Sequence, residues 1–289
     1  MGVWCLFGVV QMLIAVNVGH DALHGSYSNR EWINRLLGYW AYDSLGMSSR
    51  VWKQTHNREH HTFTNIAGID PDIHKPGVLR LCPHDPYFKI HRFQHLYVWF
   101  LYALVSLNWV YVSDWMYVIE HRKTTSVAQW VNFVFFKCLH LFLYFGVMLL
   151  WSPMSWSQIL CGYLAMHAVG GIFAAIVFQL AHVVEGVAFP LPDSSGVINA
   201  PWSTHEMETT SNFAVDSFWV THFVGGLNFQ VEHHLLPKIS HVHYPAVSKI
   251  VQKLAAKYEL PYHKKPTLRA AVTSHARLLY ALGKKNLWC

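Results

Sequence analysis

The stretch from Cys138 to Val184 reads CLHLFLYFGVMLLWSPMSWSQILCGYLAMHAVGGIFAAIVFQLAHVV and contains no Asp, Glu, Lys or Arg. As one helix its 47 residues would be roughly 70 Å long, over twice the ~30 Å hydrocarbon core of a bilayer. It therefore has to fold back on itself. SPMSWS, at 152–157, is the natural turn, with Pro153 among serines. We read two spanning helices, about 130–151 and 158–182, joined by a very short loop. Lys137, near the start of the first, is expected to snorkel to the interface.

Outward from that hairpin the chain stays apolar. It is 53% hydrophobic and only 13% charged, against about 25% charged for a soluble domain, which excludes an ordinary soluble protein. Its 13 Trp and 14 Tyr suit bilayer interfaces. Residues 1–20 carry no charge, so 1–19 is a third span. Without a basic leading region or a small-residue cleavage site it does not read as a signal peptide. The segments 31–48 and 95–119 are interrupted by Asn34 and Asp43, and by Asn108 and Asp114. If the histidine-rich stretches act together on one face, neither segment can cross, and both are expected to be interfacial.

The 152–157 loop has no Lys or Arg, whereas 50–92 and 238–289 are rich in them. The positive-inside rule puts these basic segments in the cytosol. Residue 1 then begins a crossing without a leading loop, so the chain is expected to be N-terminally incomplete. The expected fold is all-α integral membrane and multi-pass, one domain over 1–289. A cytosolic helical cap, 50–92 and 200–289, would hold a two-metal site. The last 52 residues carry ten Lys and Arg against one acid, Glu259, which makes either a solvated basic cap or a surface for anionic headgroups or an acidic electron donor. Five cysteines in no C-x-x-C pair argue against disulfides or a zinc ribbon and read as buried, inert thiols.

The chain holds 21 His, nearly as many as its 22 Lys and Arg together. Three stretches concentrate them: HDALH at 20–24, HNREHH at 56–61 and QVEHH at 230–234. His20 and His24 are i, i+4 and share a helix face; His56 and His60 repeat the spacing, and His61 adds a ring about 100° further round. His233 and His234 complete the set. A single histidine is more often structural than a ligand, but two such pairs and two HH doublets on one face of a membrane are hard to read that way. One tetrahedral zinc takes four ligands. Seven histidines suit two metals. His182, at the cytosolic end of the last span, is an eighth candidate. His140 and His167 lie deeper and read as structural.

There is no H-E-x-x-H, no Glu-x-x-His, no G-x-G, no G-x-S-x-G and no Walker A. Zincin, carboxylate-bridged di-iron, nicotinamide, serine-esterase and nucleotide chemistry thus have no motif. Nothing points to a nucleic acid. An all-nitrogen two-metal site beside a membrane suits iron that cleaves dioxygen for redox work on a lipid.

HDALH, HNREHH and QVEHH resemble the three histidine boxes of the membrane fatty acid desaturases. HNREHHTFTNIAGIDPDI, HRFQHLY, QLAHVVEG and VGGLNFQVEHHLLPKISHVHYPA extend the likeness to the bacterial acyl-lipid and acyl-CoA (linoleoyl-CoA desaturase-like, front-end) branch, across essentially all of 1–289. The resemblance implies two iron ions, dioxygen as co-substrate and a cis double bond inserted into an acyl chain carried by a lipid or CoA, at a bacterial inner membrane. The implied ligands are His20, His24, His56, His60, His61, His182, His233 and His234. Gln230 stands where many relatives have the first histidine of the third box, a feature of front-end enzymes, which place the new bond between an existing one and the carboxyl end. Asp21, Asn57, Glu185, Asn228 and Glu232 are candidates for orienting the imidazoles. No fused cytochrome b5 domain is visible, which implies a separate donor, ferredoxin or cytochrome b5-like, and the upstream segment usual in the family is missing. A lipid hydroxylase is the nearest rival. A metal transporter would want ionisable ligands along a mid-bilayer path, whereas here the clusters flank the spans.

Overall fold

The structure is a computed structural model that describes residues 1–75 and 77–285; Cys289, among the thiols expected to be inert, lies outside them. It is built from helices α1 (Gly2–His24), α2 (Glu31–Ala41), α3 (Ser49–Gln54), α4 (Lys89–Ala103), α5 (Val105–Glu120), α6 (Val127–Trp151), α7 (Trp156–His182), α8 (Trp202–Thr209), α9 (Phe218–Phe223), α10 (Gln230–Leu235), α11 (Tyr244–Lys257) and α12 (Leu268–Leu282). Two three-residue strands, β1 (Ser211–Phe213) and β2 (His263–Lys265), pair in parallel. The chain divides into two compact units: Met1–Lys53 with Phe100–Ala175, and Gln54–Trp99 with Ile176–Cys289.

In the first unit, α1, α6 and α7 are long and apolar enough to cross a membrane. The 95–119 segment is not one helix: α4 and α5 meet at Leu104 with a bend of 62°. Small residues allow helix backbones to touch, as in membrane bundles. A Cβ on Gly8 would lie 2.4 Å from the Met166 carbonyl oxygen, and one on Gly171 would lie 2.6 Å from that of Tyr102.

Lys137 does not snorkel. It is buried, and its ammonium donates to the carbonyls of Gly46 (2.6 Å) and Val110 (2.7 Å) and to Asp114 Oδ2 (2.7 Å). The same carboxylate oxygen accepts from Ser48 N at 2.8 Å. The acid that interrupts the 95–119 segment thus has a cation to meet, and three acceptors outcompete the distant interface for the ammonium's three protons. His140 and His167 have local partners: His140 Nε2 pairs with Tyr163 OH (2.7 Å) and His167 Nδ1 with Ser106 Oγ (3.0 Å). Cys82 is buried, but Cys138 and Cys161 are exposed on α6 and α7, so not all the thiols are buried as expected. On an apolar spanning helix the outward face meets lipid, which accepts a thiol readily.

In the second unit the core joins the end of α7 to α12 and the strands: Leu180, Phe213, Ala214 and Ala271 pack together. A second cluster, Met207, Val231, Val251 and Ala255, seats α8 and α10 on α11. Each core includes a residue two positions before a histidine: Leu180 before His182 on α7, and Val231 before His233 on α10.

Candidate metal centre

HDALH closes α1 in the first unit. Gly25, at φ 76°, ends the helix in the left-handed conformation that glycine adopts freely. The i, i+4 spacing brings His20 and His24 together, tilted by 54° with ring centroids 4.6 Å apart, both packed edge-on to Trp52. Asp21 is buried in the same turn.

The other six candidate ligands lie in the second unit. HNREHH is not an ordinary helical turn. After α3 the backbone widens into π-helix over Thr55–His60, and His61 N donates to His56 O at 3.1 Å. An i→i+5 bond brings His61 under His56, whereas the α-helical repeat sets it about 100° beyond His60; the rings of His56 and His61 are 4.8 Å apart, and those of His56 and His60 are 5.1 Å apart. π-bulges of this kind recur at functional sites. His182 is the last residue of α7, and α10 presents His233 and His234.

The rings converge. His60, His182 and His234 lie 4.6–4.9 Å apart by centroid. His61 lies 4.6 Å from His233 and 4.3 Å from His234. Three sets each offer ligand atoms within 4.8 Å of one another: His60, His182 and His234; His61, His233 and His234; and His56, His60 and Asp72. All six imidazoles are at most 5% exposed.

Outer partners hold one nitrogen of several rings and turn the other inward. Asp70 Oδ1 lies 3.0 Å from His60 Nδ1, Glu206 Oε2 lies 2.8 Å from His234 Nδ1, and Tyr244 OH lies 3.1 Å from His233 Nδ1. His60 Nε2 is left buried with no hydrogen-bond partner among the described residues. A buried ring nitrogen in that state is costly unless a cation takes its lone pair. Burial pulls the His60 imidazole down, but the Asp70 and Asp72 carboxylates, with Glu206 behind them, outweigh it and lift it to about 9. Burial lifts Glu206 to about 8, against its Thr64 hydrogen bond and the His60 charge. The pocket favours positive charge, and carboxylate–histidine pairs orient metal ligands. These residues fit bound metal.

Asp70, Glu206 and Tyr244 were not among the residues expected from the sequence, although Asp70 lies in the quoted IDPDI. Nor was Asn65. It adopts φ 58°, and its Nδ2 faces the carbonyls of His182 (3.0 Å), Ala188 (3.1 Å) and Thr209 (3.1 Å) while its N–H donates to Asp70 Oδ2 (2.8 Å). Asn65→Ala is expected to cost about 2 kcal/mol or more, because it orphans buried carbonyls and lacks asparagine's tolerance of that backbone. A lowered thermal midpoint checks it. Glu206→Gln should leave the fold intact and weaken iron binding about 10–100-fold, read by chelator competition.

Gln230 is buried at the start of α10, and its side-chain amide approaches the His182 imidazole. Asn57 is half-buried on the π-turn. Glu232 turns away: Tyr262 OH and Asn212 Nδ2 donate to its carboxylate at 2.7 and 2.8 Å. Asn228 bonds Thr221 Oγ1 at 3.1 Å, and Glu185 is exposed. An apolar recess of about 220 Å³, lined by Phe63, Ile66, Ile69, Ile198 and Trp202, adjoins the cluster; Trp202 Nε1 donates to His61 O at 3.3 Å.

Compared with known proteins, residues 1–266 match the fatty acid desaturase family. The sn-1 linoleoyl-lipid 6-desaturase of Synechocystis sp. is 37% identical over 97% of this chain and 81% of its own length. An acyl-lipid (8-3)-desaturase of Physcomitrium patens is 34% identical over 93% of this chain and 58% of its own. The sn-1 linoleoyl-lipid 6-desaturase of Arthrospira platensis is 32% identical over 93% and 73%. With a family match that runs through every histidine cluster described above, the chain belongs to the fatty acid desaturase family of oxidoreductases.

Proposed function

We propose that this desaturase inserts a cis double bond into a membrane-associated acyl chain at a front-end position, using two iron ions, dioxygen and electrons from a separate ferredoxin or cytochrome b5-like donor. The observation that carries the reading is the convergence of six buried histidines in the second unit, five of them in two triads that share His234 and the sixth, His56, beside His60. Family resemblance adds His20 and His24 to the ligand set. Bound iron would activate dioxygen for removal of two hydrogens. The protein's own part is to hold imidazoles oriented, through Asp70, Glu206 and Tyr244, and to exclude water. The apolar recess beside His61 is suited to methylene groups. The basic segments favour a cytosolic cap on a multi-pass protein. Gln230 and the named relatives favour front-end chemistry.

The test is expression in a host that makes saturated, mono- and diunsaturated fatty acids, with lipids read by gas chromatography–mass spectrometry. A new unsaturated acid, absent with His60→Ala, is expected. A product heavier by one oxygen would identify a hydroxylase instead. A bond on the methyl side of existing ones would reject the front-end assignment.

A further inference from the structure

Beyond the histidine cluster, the second unit contains a groove of about 410 Å³ whose lining includes Lys265, Arg269, Arg277, Thr267, Thr273 and Glu185. Arg269, Thr273 and Arg277 follow one another at i, i+4 and i+8, so α12 presents them as one stripe. Lys265 is placed at the end of that stripe by the strand pairing, in which it faces Phe213. Its ammonium donates one proton to the Glu185 carbonyl (2.6 Å), which leaves two for a ligand. Among the described residues, none of the three cations is in an ion pair. Against them the lining holds one carboxylate, Glu185. The N-terminal end of α12, capped by Thr267 Oγ1 accepting from Ala270 N, adds its dipole in the same sense.

The groove's position says which anion it meets. Ser274 and His275 of α12 are tied to the segment just after α7: Glu185 N donates to Ser274 Oγ (2.9 Å), and His275 Nδ1 lies 2.6 Å from Val183 O. The groove therefore lies three residues beyond His182. The 27 residues of α7 span roughly 40 Å, close to the 40–45 Å of a bilayer with its headgroups. A span that starts at one interface thus ends at the headgroup level of the other. Three cations at that depth, around a concave site, match a phosphodiester.

We propose that this groove binds the phosphate of an anionic glycerolipid and that the lipid so held is the acyl carrier. The inference deepens the front-end reading and rests on it. An enzyme that reacts near the carboxyl end has to hold the headgroup close to its metal, and this site begins three residues from a metal ligand.

The test uses the full chain in phosphatidylcholine nanodiscs with trace spin-labelled phosphatidylglycerol or phosphatidylcholine, and it reads lipid preference without turnover. Wild type should favour the phosphatidylglycerol probe, less so at high salt. Arg269→Gln/Arg277→Gln should reduce that preference about 25-fold, the factor for about 1 kcal/mol from each of two basic residues at a membrane surface. Arg269→Lys/Arg277→Lys should retain it, as should Lys249→Gln/Lys253→Gln on α11. No preference in wild type, or an unchanged preference in the Gln variant, overturns the proposal. Displacement of the labelled lipid by soluble coenzyme A but not by inorganic phosphate would reassign the groove to an acyl-CoA carrier. A Gln variant that loses only an acidic donor protein would make it a donor-docking face. Desaturation measured in the same nanodiscs reports on the proposed function separately.

Discussion

His60→Ala is expected to eliminate desaturation and to release most of the bound iron. His60 belongs to two of the three clusters of candidate ligands in the second unit, is fully buried, and is held through Nδ1 by Asp70 with Nε2 directed inward. Its loss leaves buried Asp70 and half-buried Asp72 without the imidazole they face, so both coordination and electrostatic balance fail together. His182→Ala should behave alike, because His182 closes the His60–His182–His234 triad. Glu206→Gln is the informative contrast: it keeps every candidate ligand and acts mainly on the orientation and basicity of His234. Iron per chain and product per chain, measured on the same preparations, check the set. A His60→Ala protein with its full iron content would remove that residue from the ligand set.

The second large effect is on stability and lies far from any chemistry. Lys137→Ala is expected to destabilise the protein by about 3–5 kcal/mol, since it leaves Asp114 buried without its cation. Asp114→Ala should cost a similar amount by stranding the ammonium. Lys137→Met with Asp114→Leu should recover part of the loss, because a buried pair replaced by apolar groups of similar size is often neutral. Heating in detergent followed by size-exclusion chromatography gives the midpoint. Equal midpoints for wild type and Lys137→Ala would show that the pair is worth nothing.

The parts of this protein that were legible in its sequence are those set by local rules. A charge-free run longer than a bilayer has to fold back, and the structure turns it between Trp151 and Trp156. The i, i+4 spacing of His20 and His24 sets their rings side by side on one helix face. Where the backbone left the α-helical repeat, the same rule misplaced His61, because no spacing announces an i→i+5 turn. The remaining misses are long-range. Glu206 is 28 residues from His234, and the carbonyls gathered by Asn65 come from positions 182, 188 and 209; tertiary packing alone brings them together. The sequence places Lys137 near a helix start and points it at the interface, because its partners are 23 to 91 residues away.

That buried ammonium also bears on how the protein is made. A lysine near the centre of a spanning helix costs about 2.5–3.5 kcal/mol at insertion unless something receives it. Gly46, Val110 and Asp114 all precede Lys137 in the chain, so every acceptor has left the ribosome before the donor does. Vectorial synthesis therefore delivers α6 to a bilayer in which its binding partners already wait. A version of the gene permuted to translate α6 first would present the insertion machinery with the same helix and none of that help.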